Sequence, residues 1–482
     1  MTGQPYNLWV GGQEKPGHAD QIPVEDPATG EIFANCHAAS LEDVEETIRL
    51  AHETFKAGTW SRAPRHVRAD VLDKTAELLT ADLPSLIPLE VRQTGRAIRE
   101  MRAQVPTLVK WFKYYAALLR TEERAVLPTV GKLHNWIDRV PLGVVVQITP
   151  FNHPLLIAVK KIAPALAAGN SVVVKPSELT PLTTLLLGKI LQKAGVPDGV
   201  FHVLPGYGAT TGKALVEHRL VRKVDVTGGT VAGRAIGSIV GGNLARYTAE
   251  LGGKAPLIVF EQADVDVAVN GIAFGSFIAS GQTCVASTRI LVQEGIMQSV
   301  LEKLKAKAES IVRRMGSPSN QESMMGPLVS AKQLSNGYYF EPTVLVSRAE
   351  GDILKSRIWR EEAFGPVVVV APFKTESEAI ALANDSEFGL GAGIWTRDVA
   401  QAFRVSEEID AGIVWVNTHH RNDPSSPWGG ATSASGVGSE NGIDAYQAYT
   451  TTKSTIISYA SPEEALAADD WFREGAGDVR YG

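Results

Sequence analysis

Apolar positions along this chain keep two different rhythms, and the change falls near residue 140. Upstream, Val44, Ile48, Ala51 and Phe55 recur at helical spacing over Ser40 to Lys56. Ser40 is placed to cap that helix, with Asp43 three residues on. Two or three further helices are expected up to Arg120, and Gly95 suits the end of one of them. Residues 1–35 read as short strands and turns, among them Asp26-Pro27-Ala28-Thr29-Gly30. Downstream, the runs 144–148, 171–174, 201–204, 223–226 and 257–260 are rich in β-branched residues, and helical stretches separate most of them. Gly169, Gly195 and Pro197 mark the junctions. Apolar strands alternating with helices predict an α/β fold with a parallel, doubly wound sheet. The alternation resumes over 264–420, with helices at 264–279 and 297–314 and strands at 288–292, 367–371 and 412–417, so a second α/β domain is expected. Gly and Ser cluster around 429–442, which reads as a long loop.

A chain of 482 residues accommodates two or three domains of this kind. With 44% hydrophobic and 21% charged residues, it can bury a large core without covalent staples. The formal charge of −6 argues against nucleic acid as a partner, because phosphate binding favours a basic surface. Two cysteines, Cys36 and Cys284, point to a reducing compartment, and a cytoplasmic location is expected. The first residues lack a basic stretch followed by an apolar one, and no run of about 20 apolar residues occurs, so neither a secretory signal nor a membrane span is expected.

The candidate chemistry centres on Cys284, in Ser280-Gly281-Gln282-Thr283-Cys284-Val285-Ala286-Ser287. A lone thiol is commonly a small buried hydrophobe. Small neighbours, however, let a carbonyl approach the sulfur and free a backbone N–H to donate. Upstream, Glu250 ends a strand and precedes Gly252-Gly253, as a turn residue or as a mobile general base. A thiol and such a carboxylate suggest covalent catalysis followed by hydrolysis. Asn152, in Thr149-Pro150-Phe151-Asn152-His153-Pro154, follows the strand 144–148, where α/β sheets bind ligands. It can cap the next helix or donate to an oxyanion. Lys175-Pro176-Ser177-Glu178 follows the next strand, as a turn or as a grip on ribose hydroxyls. A carboxylate there repels a 2′-phosphate and favours NAD over NADP. Thr227-Gly228-Gly229-Thr230-Val231-Ala232-Gly233 opens a helix after a strand, a setting for pyrophosphate, although GxGxxG is absent. His153, His419 and His420 lack metal-ligand spacing, and no metal is expected.

In this order the motifs resemble those of the aldehyde dehydrogenase superfamily, from about residue 6 to about 458, joined by Glu361-Glu362-Ala363-Phe364-Gly365-Pro366. The resemblance implies an NAD-dependent, hydrolytic enzyme acting on a small-molecule aldehyde. Cys284 matches the nucleophile that forms a thiohemiacetal, and hydride loss then leaves a thioester. Glu250 matches the base that activates water. Asn152 and the Cys284 backbone N–H match the oxyanion hole, and Lys161 a supporting catalytic lysine. The matching cofactor residues are Thr149, Pro150, Phe151, Lys175, Ser177, Glu178, Gly208, Gly212, Thr227, Gly228, Gly229, Thr230, Gly233, Leu251, Glu362 and Phe364. The implied architecture is a Rossmann-like cofactor domain (1–120 with 141–251), a catalytic domain (252–440), a β-arm (121–140 with 445–460) and a tail (461–482). The arm implies a homodimer or homotetramer.

Three places depart from the family pattern: the phosphate turn, the late Gly-rich loop with its sequel, and a shortened stretch. Gly229 replaces a serine, Ser439 an arginine, and the loop Trp428 to Gly436 lacks a lysine. Between Gly326-Pro327-Leu328 and Asn336-Gly337-Tyr338 the family carries a helix and a strand that are missing here. That loss is expected to leave backbone groups unpaired and apolar surface exposed. Two other readings follow: transfer of the acyl group to coenzyme A, which Glu250 argues against, and an inactive structural or binding relative. Phe151, Trp111, Tyr114 and Trp428 suggest an apolar or aromatic substrate pocket, and Arg421 or His420 can meet a substrate carboxylate.

Overall fold

The structure is a computed structural model, and it describes residues 4–330, 338–347, 353–472 and 474–475. Two sheets dominate it, one mixed with a parallel centre and one wholly parallel. The first has eight strands in the order Gly436–Val437, Arg246–Glu250, Val221–Thr227, Val144–Ile148, Ser171–Lys175, Phe201–Val203, Leu8–Val10 and Gln13–Lys15. Its five inner strands, 246–250 through 201–203, are mutually parallel. The chain builds outward one way from 144–148 through 171–175, then returns to the other side with 221–227. Strand order therefore reverses between 144–148 and 221–227, and a crevice opens beyond the carboxyl ends of those two strands.

The second sheet has six parallel strands: Thr343–Val346, Val367–Phe373, Ser287–Gln293, Ala255–Val259, Gly391–Trp395 and Ile413–Val416. The run expected at 257–260 thus belongs to this sheet and not to the first. Its apolar residues suit the centre of either sheet, and only the pairing partners decide. Gly391–Trp395 was not expected as a strand, because glycines at 391 and 393 lower β-propensity. They are there for space: a Cβ on Gly391 would meet the Trp415 ring at 2.9 Å, and one on Gly393 would meet the Trp395 ring at 2.9 Å.

Leu41–Ala57 begins in a reciprocal capping box between Ser40 and Asp43 and ends at Gly58 in the left-handed region. Four further α-helices, not two or three, follow up to residue 121: Arg65–Ala81, Leu83–Thr94, Ile98–Gln104 and Val109–Thr121. Gly95, at φ 73°, ends the second of these. Pro154–Ala168 is buried at every position except Ile157, which makes it a core helix rather than an amphipathic one. It nonetheless carries two adjacent lysines, Lys160 and Lys161.

A three-stranded antiparallel sheet joins Thr450–Ser458, Leu133–Pro141 and Ala125–Leu127. The arm expected at 445–460 starts later than that, since Gly442–Ala448 is helical. The 429–442 loop also contains Gly436–Val437, which returns to the first sheet and pairs with Ala249 and Glu250. The tail begins with the helix Pro462–Asp469. No helix among the described residues is long and apolar enough to cross a membrane.

Near the shortened stretch, Thr343–Val346 forms the outer edge of the second sheet, and Leu345 and Val346 are exposed there. Asn336 and Gly337 lie outside the described residues. The 326–329 segment just before them is well anchored. Ser280 Oγ donates to the Gly326 carbonyl at 2.8 Å, and the Val329 N–H donates to Gln282 Oε1 at 3.1 Å.

Candidate active site

The crevice at the reversal of strand order becomes a cavity of about 220 Å³ where the two sheets face each other. Pro150, Phe151 and Asn152 enter it from the end of Val144–Ile148. Thr227, Gly228 and Gly229 enter from the end of Val221–Thr227, and Glu250, Leu251 and Gly252 from the end of Arg246–Glu250. The facing wall supplies Thr283, Cys284, Glu362 and Phe364. Residues far apart in sequence thus converge because each follows the carboxyl end of a strand.

Cys284 is half-buried at the end of a tightly bent segment. Ala279 and Ser280 hold φ of 54° and 55°, a left-handed conformation that non-glycine residues rarely adopt. Neighbours hold them there. Both Glu100 carboxylate oxygens accept from the Ala279 N–H at 3.3 Å, and Ser280 is tied to residues 326 and 327. Gly281, at φ 71°, crosses the backbone of Gly365 so closely that a Cβ would lie 2.3 Å from its carbonyl carbon. A Cβ on Gly253 would lie 2.1 Å from the Cys284 carbonyl oxygen, so that glycine lets the 250–254 segment pass behind the thiol. Asn152 Nδ2 donates to the Gln282 carbonyl at 2.7 Å, which leaves its second amide hydrogen for the cavity.

Burial pushes the Cys284 thiol up to about 12, with Glu362 and Glu250 adding to the effect and Lys160 opposing it. The resting sulfur therefore carries its proton, and nucleophilic attack needs a base. Glu250 suits that task. Both of its oxygens are buried without a partner among the described residues. Burial, then the charge of Glu440, push its carboxyl well above the usual range, against the pull of Lys160 and Lys161.

Glu440 was not among the expected site residues, and it organises the charges. Lys160 Nζ lies 2.6 Å from its Oε2 and Lys161 Nζ 2.5 Å from its Oε1. Burial alone would raise its carboxyl, but the two ammonium groups win and hold it down to about 2. Lys161 is also paired with Asp225. It sits behind the cavity wall, paired with Glu440 and Asp225, whereas Lys160 lines the cavity and rests 4.6 Å from the centre of the Trp428 ring. Adjacent positions on a helix point about 100° apart, so only one of the two lysines can face the site.

The residues expected on the nucleotide side fall into two groups. Phe151 and Phe364 meet edge to face at 5.7 Å across the cavity, and Glu362 Oε1 accepts from the Gly253 N–H at 3.0 Å. Burial pushes Glu362 up to about 7, with that N–H and Lys254 opposing. Thr149, Lys175, Ser177, Glu178, Gly208 and Gly212 lie outside the cavity wall, along neighbouring strand ends. The Thr149 N–H donates to the Lys175 carbonyl, and Lys175 Nζ reaches Glu178 at 3.4 Å and packs against Gly212. Gly208, Gly228 and Gly229 have open space where a side chain would begin. Gly233 does not: a Cβ there would strike Leu251 at 2.3 Å, so it lets the helix Thr230–Gly242 settle on the strand beside it. Thr230 Oγ1 donates to the Ala434 carbonyl.

Of the aromatic residues expected around a substrate, Phe151 and Trp428 line the cavity. Trp111 belongs instead to the helical core, where its Nε1–H donates to Asn441 Oδ1, and Tyr114 packs against Tyr115. Their helix faces Arg65–Ala81 and Pro154–Ala168 rather than the crevice. His420 lines the cavity together with His153 and Asn422, whereas Arg421 is exposed on a neighbouring surface hollow. No group of metal-ligating side chains occurs among the described residues.

The aldehyde dehydrogenase family model matches residues 14–336 and 331–455, and its two stretches meet where the chain is shortened. Phenylacetaldehyde dehydrogenase from Pseudomonas fluorescens is 39% identical, over 94% of this chain and 96% of that protein. Betaine aldehyde dehydrogenase from Bacillus subtilis is 36% identical, over 96% of this chain and 99% of that protein. The solved structure of betaine aldehyde dehydrogenase from Staphylococcus aureus, in complex with NAD+, is 31% identical and superposes with a TM-score of 0.92, covering 97% of each chain. With its crevice at a strand-order reversal, its thiol opposite an orphaned carboxylate and these matches along nearly its whole length, this chain belongs to the aldehyde dehydrogenase family.

Proposed function

We propose that this protein oxidises an aldehyde to a carboxylic acid with NAD, through a thiohemiacetal and then a thioester on Cys284. The observation that carries the reading is Glu250: a buried carboxylate with both oxygens unpartnered among the described residues, in the same cavity as the thiol. The residues present fit the cofactor. Gly228 and Gly229 leave their backbone open at a helix start for a pyrophosphate. Lys175 and Glu178 stand at a strand end for the adenosine ribose, and Glu362 and Phe364 for the nicotinamide side. When bound, NAD supplies the hydride acceptor.

The chain's own groups do the rest. Glu250 takes the Cys284 proton, and the sulfur attacks the aldehyde carbon. The free Asn152 amide hydrogen and the Cys284 N–H receive the developing oxyanion. After oxidation, Glu250 has passed the thiol proton to solvent and, again a carboxylate, takes a proton from water; the water oxygen attacks the thioester carbon, and the carbon–sulfur bond breaks to release the acid and the thiolate. A base dedicated to water disfavours transfer to coenzyme A.

Glu250→Gln is expected to slow steady-state turnover by about 10²–10⁴-fold, the usual worth of a general base. Because the base works as the carboxylate and its proton affinity is raised, the wild-type kcat should fall as pH drops through that raised value. Product analysis with and without coenzyme A, and a kcat–pH profile, check both points. Full turnover in Glu250→Gln, or a profile flat down to about pH 4.5, would sink the assignment.

The three-stranded arm leaves Val126, Ile456 and Ile457 exposed, which supports a homodimer or homotetramer built through it. Analytical ultracentrifugation should give a species of two or four chains, and a monomer at micromolar concentration would contradict it. Two unbonded thiols support a reducing, cytoplasmic setting.

A further inference from the structure

Besides the Glu250 oxygens, His153 Nε2 in the cavity lining has no partner among the described residues, and its neighbours fix what it can do. His153 is 5% exposed, lines the cavity, and stands at the start of Pro154–Ala168. Arg96 Nη1 lies 2.6 Å from its Nδ1. A guanidinium can only donate, so Nδ1 must accept, and the ring proton must sit on Nε2. The Gln104 amide approaches the same Nδ1 at 3.3 Å. Arg96 is itself buried and held by Glu100 at 3.0 Å, so this orientation is built in. Nε2, on the far side of the ring, is buried with no partner among the described residues. Burial, then the charges of Arg96, His420 and Lys160, hold the imidazole well below its usual pKa, so it stays neutral.

A buried N–H with nothing to donate to is costly, and a substrate that brings an acceptor removes that cost. The charge balance says which kind of acceptor. Arg96 is matched by Glu100, and Lys160 by Glu440. A carboxylate would enter with no free counter-charge and would lose its hydration. A neutral oxygen carries no such penalty, and Trp428, Leu156 and Ile157 supply apolar wall for the rest of the molecule.

We propose that His153 is a specificity-determining residue that donates Nε2–H to a neutral oxygen (hydroxyl, ether or carbonyl) in the body of the aldehyde, so that this site selects acceptor-bearing aldehydes over plain hydrocarbon ones. The proposal rests on the aldehyde-oxidising reading above.

The test measures kcat/KM for three size-matched aryl aldehydes: one carrying an ethyl group, one carrying a methoxy or hydroxymethyl group, and one carrying a carboxylate. The neutral acceptor should be preferred over the hydrocarbon by roughly tenfold or more, with the carboxylate least favoured. In wild type the preference should stay constant from about pH 6 to 9, because a neutral imidazole does not titrate there. His153→Phe should bring the ratio close to one, and His153→Gln, which keeps a donor, should recover part of it. Oxidation of all three aldehydes without preference, a preference for the carboxylate, or a ratio unmoved in His153→Phe would overturn the proposal alone. Failure to oxidise any aldehyde would overturn it together with the reading beneath it.

Discussion

Cys284→Ala is expected to lower NAD-dependent aldehyde oxidation by at least ~10³-fold, because no other group in the cavity can form the covalent intermediate. The second thiol offers no substitute. Cys36 is fully buried in the helical core, and burial pushes it up to about 12. The loss should be one of chemistry rather than of folding. Cys284 is half-buried, and its segment is held by Glu100, Ser280 and Gln282, none of which needs the sulfur. Cys284→Ser should be nearly as impaired, since a hydroxyl in the same surroundings gives up its proton less readily than a thiol. NADH formation followed at saturating aldehyde, beside thermal unfolding with and without NAD, separates the two kinds of loss. Turnover of Cys284→Ala near the parent rate would remove the thiol mechanism altogether.

Glu440→Gln should be the most damaging single change to the fold around the site. The substitution removes the charge shared by Lys160 and Lys161 and leaves Lys160, among the described residues, with a neutral amide and the face of Trp428. Removing one partner of a buried ion pair costs about 3–5 kcal/mol, because the charge that remains is uncompensated. The same change acts on Glu250 in a readable direction. Glu440 is the charge that holds the Glu250 proton on, and the two lysines pull the other way. Without Glu440, Glu250 loses its proton at lower pH, and the acid limb of the kcat–pH profile should shift downward. Urea unfolding and the pH profile of the surviving activity test these separately. A variant as stable as its parent, with an unmoved profile, would show that Glu440 carries little of the charge balance.

Much of this was legible from local signals. The β-branched runs at 144–148, 171–175 and 221–227 are buried on both faces, so periodicity alone marks them as parallel strands. Cys284, Glu250 and Asn152 could be singled out because each stands beside small residues or at a strand end. Three things were not legible, each for a physical reason. Gly391–Trp395 hides as a strand because its glycines serve neighbouring tryptophans. Lys160 and Lys161 look alike in sequence, and only the helix phase separates the lysine that lines the cavity from the one behind its wall. Glu440 and the donor state of His153 depend on partners hundreds or dozens of residues away, Lys161 in one case and Arg96 in the other. The shortened stretch was expected to disturb the fold. Among the described residues beside it, Thr343–Val346 forms the outer edge of the second sheet, with Leu345 and Val346 exposed.

The return of residues 436–458 to the first half of the molecule bears on how this protein can be cut and recombined. Gly436–Val437 completes the edge of the first sheet, Asn441 and Gly442 accept from Trp111 and Tyr115, and Thr450–Ser458 pairs along the whole of Leu133–Pro141. A gene fragment ending near residue 251 would encode the cofactor crevice without the strand that closes it or the carboxylate that neutralises its lysines. The six-stranded half, by contrast, is an insertion between residues 251 and 436 of the other. A chimera that exchanges substrate preference with a relative should therefore be spliced at two points, not one, and both junctions meet at the same strand edge.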